Sequence, residues 1–483
     1  MRKTSWTALA ILLLSLAVSS KLASQAPPDK TNSPAKQESP TDAKKLAKAK
    51  KPAKTNKLAT PHDFLSVLLD ETGVRRQALA KIDRTWRSSY AVMVVELLPF
   101  AREPETREQL LITLRRHTGQ RIGLDLKAWY QWIWSQSPSD HPQYAEFKSL
   151  LYGHIDPVFR GYFEAERTSK IRLDEVRWGG VQQDGIPPLR NPKMISPSQA
   201  SYLEDSNVVF GIEVQGEARA YPKRILAWHE MFTDTIAGVS VAGVYCTLCG
   251  TVILYETELD GQRYELGTSG FLYRSNKLMY DRATQSLWNT LWGKPVIGPL
   301  ADQDIQLRRG SVVTTTWGEW RRRHPETQVL SLETGHRRDY SEGTAYREYF
   351  ATDDLMFNVP KLDKRLKNKQ EVLTFVPRNS QEETLAISAD FLAQNPLHHD
   401  QLGELDLVVL TDPSGANRAY GTKGHRFASW DGDHTAVDEE GKSWTLSESH
   451  LRSEDGQTLE RLAAQRAFWF GWVAAYPETR LVK

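Results

Sequence analysis

The segment WGEWRRRHPETQVL at residues 317–330 recurs near the end of the chain as WFGWVAAYPETRLV at residues 469–482. Both segments share the spacing Trp-x-x-Trp-x4-Pro-Glu-Thr and continue into a hydrophobic stretch typical of a β-strand. A match at so many fixed positions indicates an internal repeat. It predicts that residues 207–332 and 371–482 are two copies of one β-rich unit.

Further correspondences lie upstream of the repeated tryptophans. They are Tyr280-Asp281 with Ser286 and Trp288 in the first copy, and Val437-Asp438 with Ser443 and Trp444 in the second. The same alignment places Thr411 at the position of Cys246, Ser414 at that of Cys249, Asn395 opposite His229 and Ala436 opposite Met279. The second copy therefore keeps the residues of the predicted fold and lacks the chemically reactive ones.

The composition limits the kinds of function. A chain of 483 residues exceeds what one hydrophobic core supports, so we expect two or three domains. Its 40% hydrophobic and 25% charged residues are typical of a soluble globular protein. The 62 basic and 60 acidic residues leave a net charge of +2, which gives nucleic-acid binding no electrostatic support.

The first residues resemble a secretory signal. Arg2 and Lys3 precede an apolar run from Ala8 to Val18, and small residues follow as far as Ala26. The run is shorter than the ~20 residues of a spanning helix, which favours cleavage over an uncleaved N-terminal anchor. We expect a signal peptide at 1–26, a disordered basic linker at 27–60, and a periplasmic or secreted location.

Cys246 and Cys249 are the only two cysteines, on a tight turn between strand-like stretches. Two thiolates there can bind one ion, and the His229 imidazole and Met279 thioether would complete a soft ligand field suited to copper(I). A different fourth group would suit zinc, but an exported location favours copper. The sequence therefore predicts a metal site of Cys246, Cys249, His229 and Met279, for copper handling or electron transfer.

Two other functions remain open. Cys246 and Cys249 would also serve a thiol-disulfide oxidoreductase, although the β-forming residues after them differ from the helix that follows this motif in thioredoxin-like proteins. The third hypothesis is a non-catalytic envelope interaction protein. The sequence contains no Gly-x-Ser-x-Gly elbow, phosphate loop, dinucleotide fingerprint or His-Glu-x-x-His motif, so whether the chain is an enzyme is left open.

Helical periodicity dominates residues 61–165. Helices are predicted within Ser88–Leu98, from Pro104 to Gly119, over Asp125–Ser135 and, further along, over Pro222–Asp234. The lengths and short links of the first three predict stacked helix pairs of the repeat kind, which serve as scaffolds or docking modules.

A string of motifs between residues 216 and 288 carries a resemblance to a known family. The motifs are Gly216-Glu217-Ala218-Arg219-Ala220-Tyr221-Pro222, Trp228-His229-Glu230, Tyr245-Cys246-Thr247-Leu248-Cys249-Gly250, Ser269-Gly270, Leu278-Met279-Tyr280-Asp281-Arg282 and Ser286-Leu287-Trp288. Over about residues 170–482 the chain resembles DUF3179, a bacterial and archaeal domain-of-unknown-function family. The resemblance implies that the predicted ligands belong to one site, and it implies no established activity.

Together these observations predict an α+β protein, with a small α-helical, helix-repeat-like module ahead of a duplicated β-rich domain. The expected bounds are 61–165 for the helical module, 166–350 for the first repeat with the Cys-x-x-Cys site and 351–483 for the second repeat without it. The expected partner is an unidentified redox or metal-exchange protein. Neither nucleic acid nor an integral membrane domain is expected, the N-terminal anchor aside.

Overall fold

The structure, a computed structural model, describes residues 57–136, 141–164, 166–376 and 383–483. The predicted signal peptide and most of the predicted linker lie outside the described residues. Residues Leu58–Lys483 form one compact unit. Within the described ranges, no helix combines the length and the apolar character that crossing a membrane requires.

The N-terminal part of this unit consists of helices. They are α1 (Pro61–Ser66), α2 (Thr72–Arg84), α3 (Tyr90–Leu97), α4 (Pro104–Thr118), α5 (Leu126–Ser135), α6 (Tyr144–Tyr152) and α7 (Phe159–Tyr162). Local sequence explains the ends of the longer ones. Helix α4 begins at Pro104, which suits a first turn, and stops where Gly119 adopts a φ of 72°. Helix α5 is capped by Asp125, whose carboxylate accepts the Ala128 N–H at 3.1 Å. Helices α3, α4 and α5 fall within the predicted helical segments.

A buried ion pair joins the helices to the first strand of the β-rich part. Glu96 in α3 lies 2.7 Å from the ammonium of Lys148 in α6, and both side chains are almost completely buried. The hydroxyl of Tyr144 donates to the same carboxylate at 2.6 Å. Lys148 also donates to the carbonyl of Val176 at 2.9 Å. The helical module is therefore attached to the β-rich part through a charged group in its own core.

The first β-rich segment contains three larger sheets. Its elements are β1 (Val176–Trp178), β2 (Leu189–Arg190), β3 (Met194–Ile195), β4 (Val208–Val214), β5 (Glu217–Pro222), α8 (Lys223–His229), β6 (Met231–Ile236), β7 (Val239–Cys246), β8 (Thr251–Glu256), β9 (Glu258–Leu259), β10 (Gln262–Arg263), β11 (Leu266–Tyr273), β12 (Asn276–Asp281), β13 (Leu287–Asn289), β14 (Lys294–Ile297), β15 (Arg309–Gly310), β16 (Val313–Thr316), α9 (Trp317–Arg323) and β17 (Gln328–Leu330). The sheet orders are β16-β4-β5-β17-β3, β15-β8-β7-β6-β2 and β1-β11-β12-β13-β14.

The second β-rich segment follows the short helix α10 (Arg347–Phe350). Its elements are β18 (Glu371–Phe375), β19 (Leu385–Ser388), α11 (Ala389–Gln394), β20 (Leu397–Leu402), β21 (Leu405–Thr411), β22 (Asn417–Gly421), β23 (Phe427–Trp430), β24 (Thr435–Asp438), β25 (Ser443–Leu446), β26 (His450–Ser453), β27 (Thr458–Glu460), β28 (Ala464–Phe468), α12 (Trp469–Ala475) and β29 (Arg480–Val482). The sheet orders are β28-β18-β19-β29, β20-β21-β22 and β23-β24-β25-β26-β27.

One sheet of each segment has the same strand directions. The order β16-β4-β5-β17 contains two antiparallel pairs and then a parallel pair. The order β28-β18-β19-β29 contains the same pairs in the same sequence. In each sheet, the last strand follows one of the two tryptophan helices, α9 or α12.

The tryptophans of the two segments also make matching hydrogen bonds. The indole N–H of Trp320 donates to Thr327, and that of Trp472 donates to Thr479, each at 3.0 Å. Further upstream, Trp288 donates to Asp281 at 3.1 Å, and Trp444 donates to Asp438 at 2.9 Å. Each of these buried indoles thus satisfies its one donor locally, which explains the fixed spacing of the motifs.

The prediction of a helix over Pro222–Asp234 is wrong in its second half. Helix α8 stops at His229 because Glu230 adopts a φ of 56°, and strand β6 begins one residue later. The strand register supports the predicted correspondence of Asn395 with His229. The backbone N–H of Tyr245 donates to the carbonyl of Glu230, and that of Thr411 donates to the carbonyl of Pro396, so the residues just before these carbonyls are His229 and Asn395.

We expect Lys148→Met to lower the free energy of unfolding by about 3 kcal/mol, because it leaves the Glu96 carboxylate buried without its counter-ion. Arg115→Met is the matched control, since the Arg115–Glu108 pair is exposed, and a loss below about 1 kcal/mol is expected there. Urea denaturation of both variants checks this. Equally small losses would show that the buried pair contributes no more than a surface one.

Candidate functional site

The cysteine turn joins two antiparallel strands at the boundary between the two β-rich segments. Strand β7 ends at Cys246, β8 begins at Thr251, and Cys246 and Cys249 form a disulfide. Gly250 turns the chain with a φ of 59°, and a Cβ there would lie 2.7 Å from the ring of Phe468. The carbonyl of Cys249 accepts the backbone N–H of Phe468 at 2.8 Å. The turn therefore packs directly on the second segment.

The disulfide is almost completely enclosed. Cys246 is 3% exposed and Cys249 0%. Helix α12 approaches closely because residue 471 is glycine, since a Cβ there would lie 2.5 Å from the Cβ of Cys249. The rest of the cover is apolar and consists of Leu248, Leu272, Tyr349, Val359, Phe468, Phe470 and Ala474. Cys249 is thus closed to solvent and Cys246 almost so.

A buried polar network centred on Glu230 lies beside the cysteine turn. One carboxylate oxygen of Glu230 accepts the hydroxyl of Thr247, between the two cysteines, at 2.7 Å. The same oxygen accepts the hydroxyl of Tyr346 at 3.0 Å. The other oxygen lies 2.7 Å from the ammonium of Lys277 in β12. Glu230 thereby connects the cysteine turn, strand β12 and residue 346 in one network.

The charged groups of this network are buried. Burial lowers the pKa of the Lys277 ammonium, and the neighbouring Glu230 opposes that effect. Lys277 also donates to the backbone carbonyl of Glu230 at 3.1 Å. Burial and the Glu230 charge raise the pKa of the Tyr346 phenol well above its usual value, so that group remains a neutral donor. Lys277 and Glu230 are thus held together next to the turn by two contacts.

Asn276 places an unpartnered acceptor near Cys249. Its side-chain N–H donates to the carbonyl of Gly471 at 3.1 Å. Its side-chain oxygen is buried without a hydrogen-bond partner, and it lies 3.7 Å from the position that a Cβ of residue 471 would occupy. Because that position also adjoins the Cβ of Cys249, the free acceptor lies in the same region as the cysteine turn.

The other two predicted metal ligands have different surroundings. Both ring nitrogens of His229 are engaged, one 2.9 Å from the carbonyl of Pro187 and the other 2.6 Å from the hydroxyl of Tyr340. Met279 packs in a separate apolar cluster with Met231, Val244, Ile253 and Trp288. Among the described residues, no group of three or more His, Cys, Asp or Glu side chains is arranged to hold a metal. The structure therefore does not support the predicted copper site.

The chain between the two β-rich segments covers the site. We call residues 331–370 the connector. Its three tyrosine hydroxyls reach the site: Tyr340 contacts His229, Tyr346 contacts Glu230, and Tyr349 donates to the carbonyl of Leu248 at 2.6 Å.

Helix α5 of the helical module holds the next part of the connector. Lys127 donates to the carbonyl of Leu355 at 2.6 Å, and Gln131 donates to that of Pro360 at 2.7 Å. The helical module therefore fixes the segment that closes the cysteine site.

Sequence reasoning missed Lys277, Gly471 and the connector tyrosines. Lys277 stands directly before the Leu278–Arg282 motif, so extending that motif by one residue would have included it. Gly471 corresponds to Glu319 in the first tryptophan motif, so the repeat gave no reason to single out a glycine at this position. The connector tyrosines carry no spacing signal, because the connector has little regular structure.

The fold and the site define an α+β protein with a buried disulfide between two β-rich segments. The chain belongs to the family described as protein of unknown function (DUF3179), whose model matches residues 183–479. This match confirms the resemblance carried by the motifs, while the helix-repeat character of the N-terminal module stays a prediction. No curated protein and no solved structure matches the chain.

His229 predicts a pH dependence of stability. Burial lowers its pKa from 6.5 to about 4, so the unfolded chain binds the proton more readily than the folded one between these values. The contribution of neutral, buried His229 to the free energy of unfolding is therefore complete above about pH 6.5, and it falls by up to about 3 kcal/mol as the pH drops to 4. Urea denaturation across this range should show that His229→Gln lacks this component. The exposed control His62→Gln should keep the wild-type profile, and an unchanged profile in His229→Gln would contradict the assignment.

Proposed function

We propose that Cys246 and Cys249 form a reversible redox pair that exchanges electrons with the thiols or disulfides of another protein. The observation that carries this proposal is the bond between the chain's only two cysteines, beside a buried acid–base pair. A bridge across so short a loop stabilises the fold by only about 2 kcal/mol on the chain-entropy argument, against about 3 for a 15-residue loop. Stabilisation of the fold alone therefore explains this disulfide poorly.

The exchange balances with a partner disulfide as the co-reactant. In the reduced protein, the Cys246 thiolate attacks one partner sulfur, forms a mixed disulfide and expels the other partner sulfur as a thiolate. The Cys249 thiolate then attacks Cys246 and releases the second partner thiolate. Two electrons and two protons pass to the partner, and the reverse sequence oxidises a partner dithiol. Cys246 is assigned the first attack because it alone retains some exposure.

The neighbouring residues suit this chemistry. The Lys277 ammonium offsets the charge of the Glu230 carboxylate, which binds the cysteine turn and would by itself disfavour a thiolate there. Glu230 holds Lys277 in place and fixes the turn through Thr247. In the reduced state, the free oxygen of Asn276 would accept a hydrogen bond from the Cys249 thiol. That bond would keep Cys249 protonated until Cys246 has reacted.

Enclosure of the disulfide makes access part of the proposed function. The sulfurs are reached when the connector moves away, which breaks the contacts of Tyr346 and Tyr349 with the site. A partner that binds the connector or helix α5 would promote this opening. We also infer that residues 371–482 arose as a copy of residues 207–332 and act as the scaffold against which the cysteine turn packs.

The proposed setting is the periplasm or the exterior, following the signal-like N-terminus. There disulfides persist, and a redox pair needs dedicated partners. The copper hypothesis remains a competing proposal for the reduced protein, although both ring nitrogens of His229 already have partners. A non-catalytic role is the remaining alternative.

Redox titration of the full chain tests the proposal. After equilibration in dithiothreitol or glutathione buffers and trapping with N-ethylmaleimide, mass spectrometry should show one reversible two-electron transition, with about 30 mV per tenfold change in the reduced-to-oxidised ratio. Cys246→Ser and Cys249→Ser should each abolish it. A disulfide that is reduced only when the protein unfolds would refute the redox role and favour the non-catalytic one. Copper bound to the reduced chain and lost in His229→Gln would favour the metal hypothesis instead.

The role of the buried ion pair is tested by the pH dependence of thiol reactivity. We expect Lys277→Gln, which leaves the Glu230 carboxylate beside the turn without its counter-ion, to raise the midpoint of the alkylation rate of the reduced chain by about one pH unit. The matched control is Lys193→Gln, which unpairs Glu333 at an exposed position. Equal midpoints in both variants and the wild type would show that the pair supports only the fold.

A further inference from the structure

A strongly charged stretch lies at the end of the connector, next to the residues that cover the disulfide. Residues 361–370, with the sequence KLDKRLKNKQ, contain five basic residues and one acidic residue. Residues 331–354 of the connector have the opposite balance, with three basic and six acidic residues. The connector therefore has an acidic end and a basic end. We call residues 361–367 the lysine segment.

Three lysines of this segment carry charges without a partner. Lys361, Lys364 and Lys367 are exposed. In the part of the chain that the structure describes, their ammonium groups make no hydrogen bond or ion pair. The three charges are spaced three residues apart and are free to attract an anionic group from outside the chain.

The nearby acidic groups do not cancel these charges. The Asp363 carboxylate lies 2.9 Å from Arg365. Burial lowers the pKa of the Lys369 ammonium, and the charges of Asp353 and Asp354 oppose that effect. Over residues 353–369, five basic residues stand against three acidic ones. A positive excess therefore remains on this part of the surface.

Groups from other elements leave that excess in place. Lys127 of α5 donates to the carbonyl of Leu355 at 2.6 Å and adds a positive charge at one end of the stretch. Asp390 of α11 accepts the side-chain N–H of Gln370 at 2.9 Å and adds a negative charge at the other end. These two contributions have opposite sign, so the balance of the stretch is unchanged.

The lysine segment is fixed on the second β-rich segment. The indole N–H of Trp469, the first residue of α12, donates to the carbonyl of Asp363 at 3.1 Å. Leu366 packs against the apolar cluster that contains Trp469 and Trp472. Leu362, between the first two lysines, is 45% exposed. The lysines are therefore held on an anchored stretch of chain, around an exposed apolar side chain.

The same segment adjoins the disulfide. Val359, two residues before Lys361, is completely buried and belongs to the apolar cover of Cys246 and Cys249. Helix α12, on which the segment lies, carries Gly471 against Cys249. A protein bound at the lysines would therefore lie next to the part of the connector that has to move before the sulfurs are reached.

We propose that Lys361, Lys364 and Lys367 form the docking surface for a redox partner protein whose cysteine pair is flanked by acidic residues. This inference rests on the proposed function. Charge complementarity of this kind raises the association rate and selects among partners more than it adds affinity. Salt weakens it, because exposed charges are screened. The lysine segment would thus select which thiols and disulfides reach the enclosed pair.

The reaction with a docked partner dithiol balances. One partner thiolate attacks Cys246, forms a mixed disulfide and releases Cys249 as a thiolate. The second partner thiolate then attacks the partner sulfur of that mixed disulfide and releases Cys246. The partner loses two electrons and two protons, and the chain gains them.

Two dithiol peptides of equal length test this preference on the full, oxidised chain. Each contains Cys-Gly-Gly-Cys, flanked by glutamates in one peptide and by lysines in the other. The rate of peptide oxidation is divided by the rate with neutral hydroxyethyl disulfide, which corrects for the intrinsic reactivity of the thiols. At low ionic strength, we expect the corrected rate of the glutamate peptide to be at least about tenfold higher, and this difference to shrink in about 0.5 M NaCl.

Removal of the lysines should remove the preference. In the triple variant Lys361→Gln/Lys364→Gln/Lys367→Gln, we expect the corrected rates of the two peptides to agree within about twofold. The variant is expected to fold, because the three side chains are exposed and unpaired. A preference that persists in this variant overturns the docking surface, and so does a wild-type preference that salt does not reduce.

The matched control is Arg263→Gln/Lys423→Gln/Arg452→Gln, which removes three exposed positive charges outside the connector. It changes the net charge by the same amount and leaves the lysine segment intact, so it should keep the wild-type preference. Equal losses in the control and in the lysine variant would trace the preference to the overall charge and overturn the docking surface.

Binding without chemistry separates this inference from the redox role. The glutamate peptide with serines in place of its cysteines should bind the full chain, but not the lysine variant, in fluorescence anisotropy. Such binding without peptide oxidation supports the docking surface and refutes the redox role. Oxidation of both peptides at equal corrected rates without binding does the reverse. Binding to phosphatidylglycerol vesicles but not to the glutamate peptide would assign the lysines to an anionic membrane surface and overturn the proposal.

Discussion

The site depends on Glu230, which ends a helix in a left-handed conformation and then serves as the common acceptor of its surroundings. Its carboxylate binds the cysteine turn through Thr247, strand β12 through Lys277 and the connector through Tyr346. Its backbone carbonyl accepts the N–H of Tyr245, which ends the pairing of β6 with β7. The position of the cysteine turn is therefore tied to one buried carboxylate.

The two β-rich segments hold each other through reciprocal contacts. The cysteine turn of the first packs on Phe468, directly before the tryptophan helix of the second. The corresponding turn of the second contacts the first through a hydrogen bond of 3.0 Å between Ser414 and Thr315, just before the other tryptophan helix. Matching parts of the two segments are thus in contact in both directions. This arrangement places the disulfide of the first turn and the buried Arg418–Asp412 ion pair of the second at equivalent junctions.

Much of the architecture could be predicted from local signals. Pro104 and Gly119 mark helix ends through backbone geometry, Asp125 does so through a side-chain cap, and the tryptophan motifs repeat because each indole needs one nearby acceptor. The α+β class follows from these signals. The side-chain contacts of the site could not be predicted in the same way. Spacing shows that Cys246 and Cys249 are close, but it cannot show that His229 is engaged by Pro187 and Tyr340, because those contacts join positions far apart in the chain.

The connector has two roles, since it joins the two β-rich segments covalently and also covers the disulfide. The contacts of Phe468 with the cysteine turn and of Ser414 with Thr315 join the segments directly, without connector residues. A proteolytic cut within the connector would therefore leave the two segments associated. It would release the covering residues and expose the disulfide to solvent irreversibly.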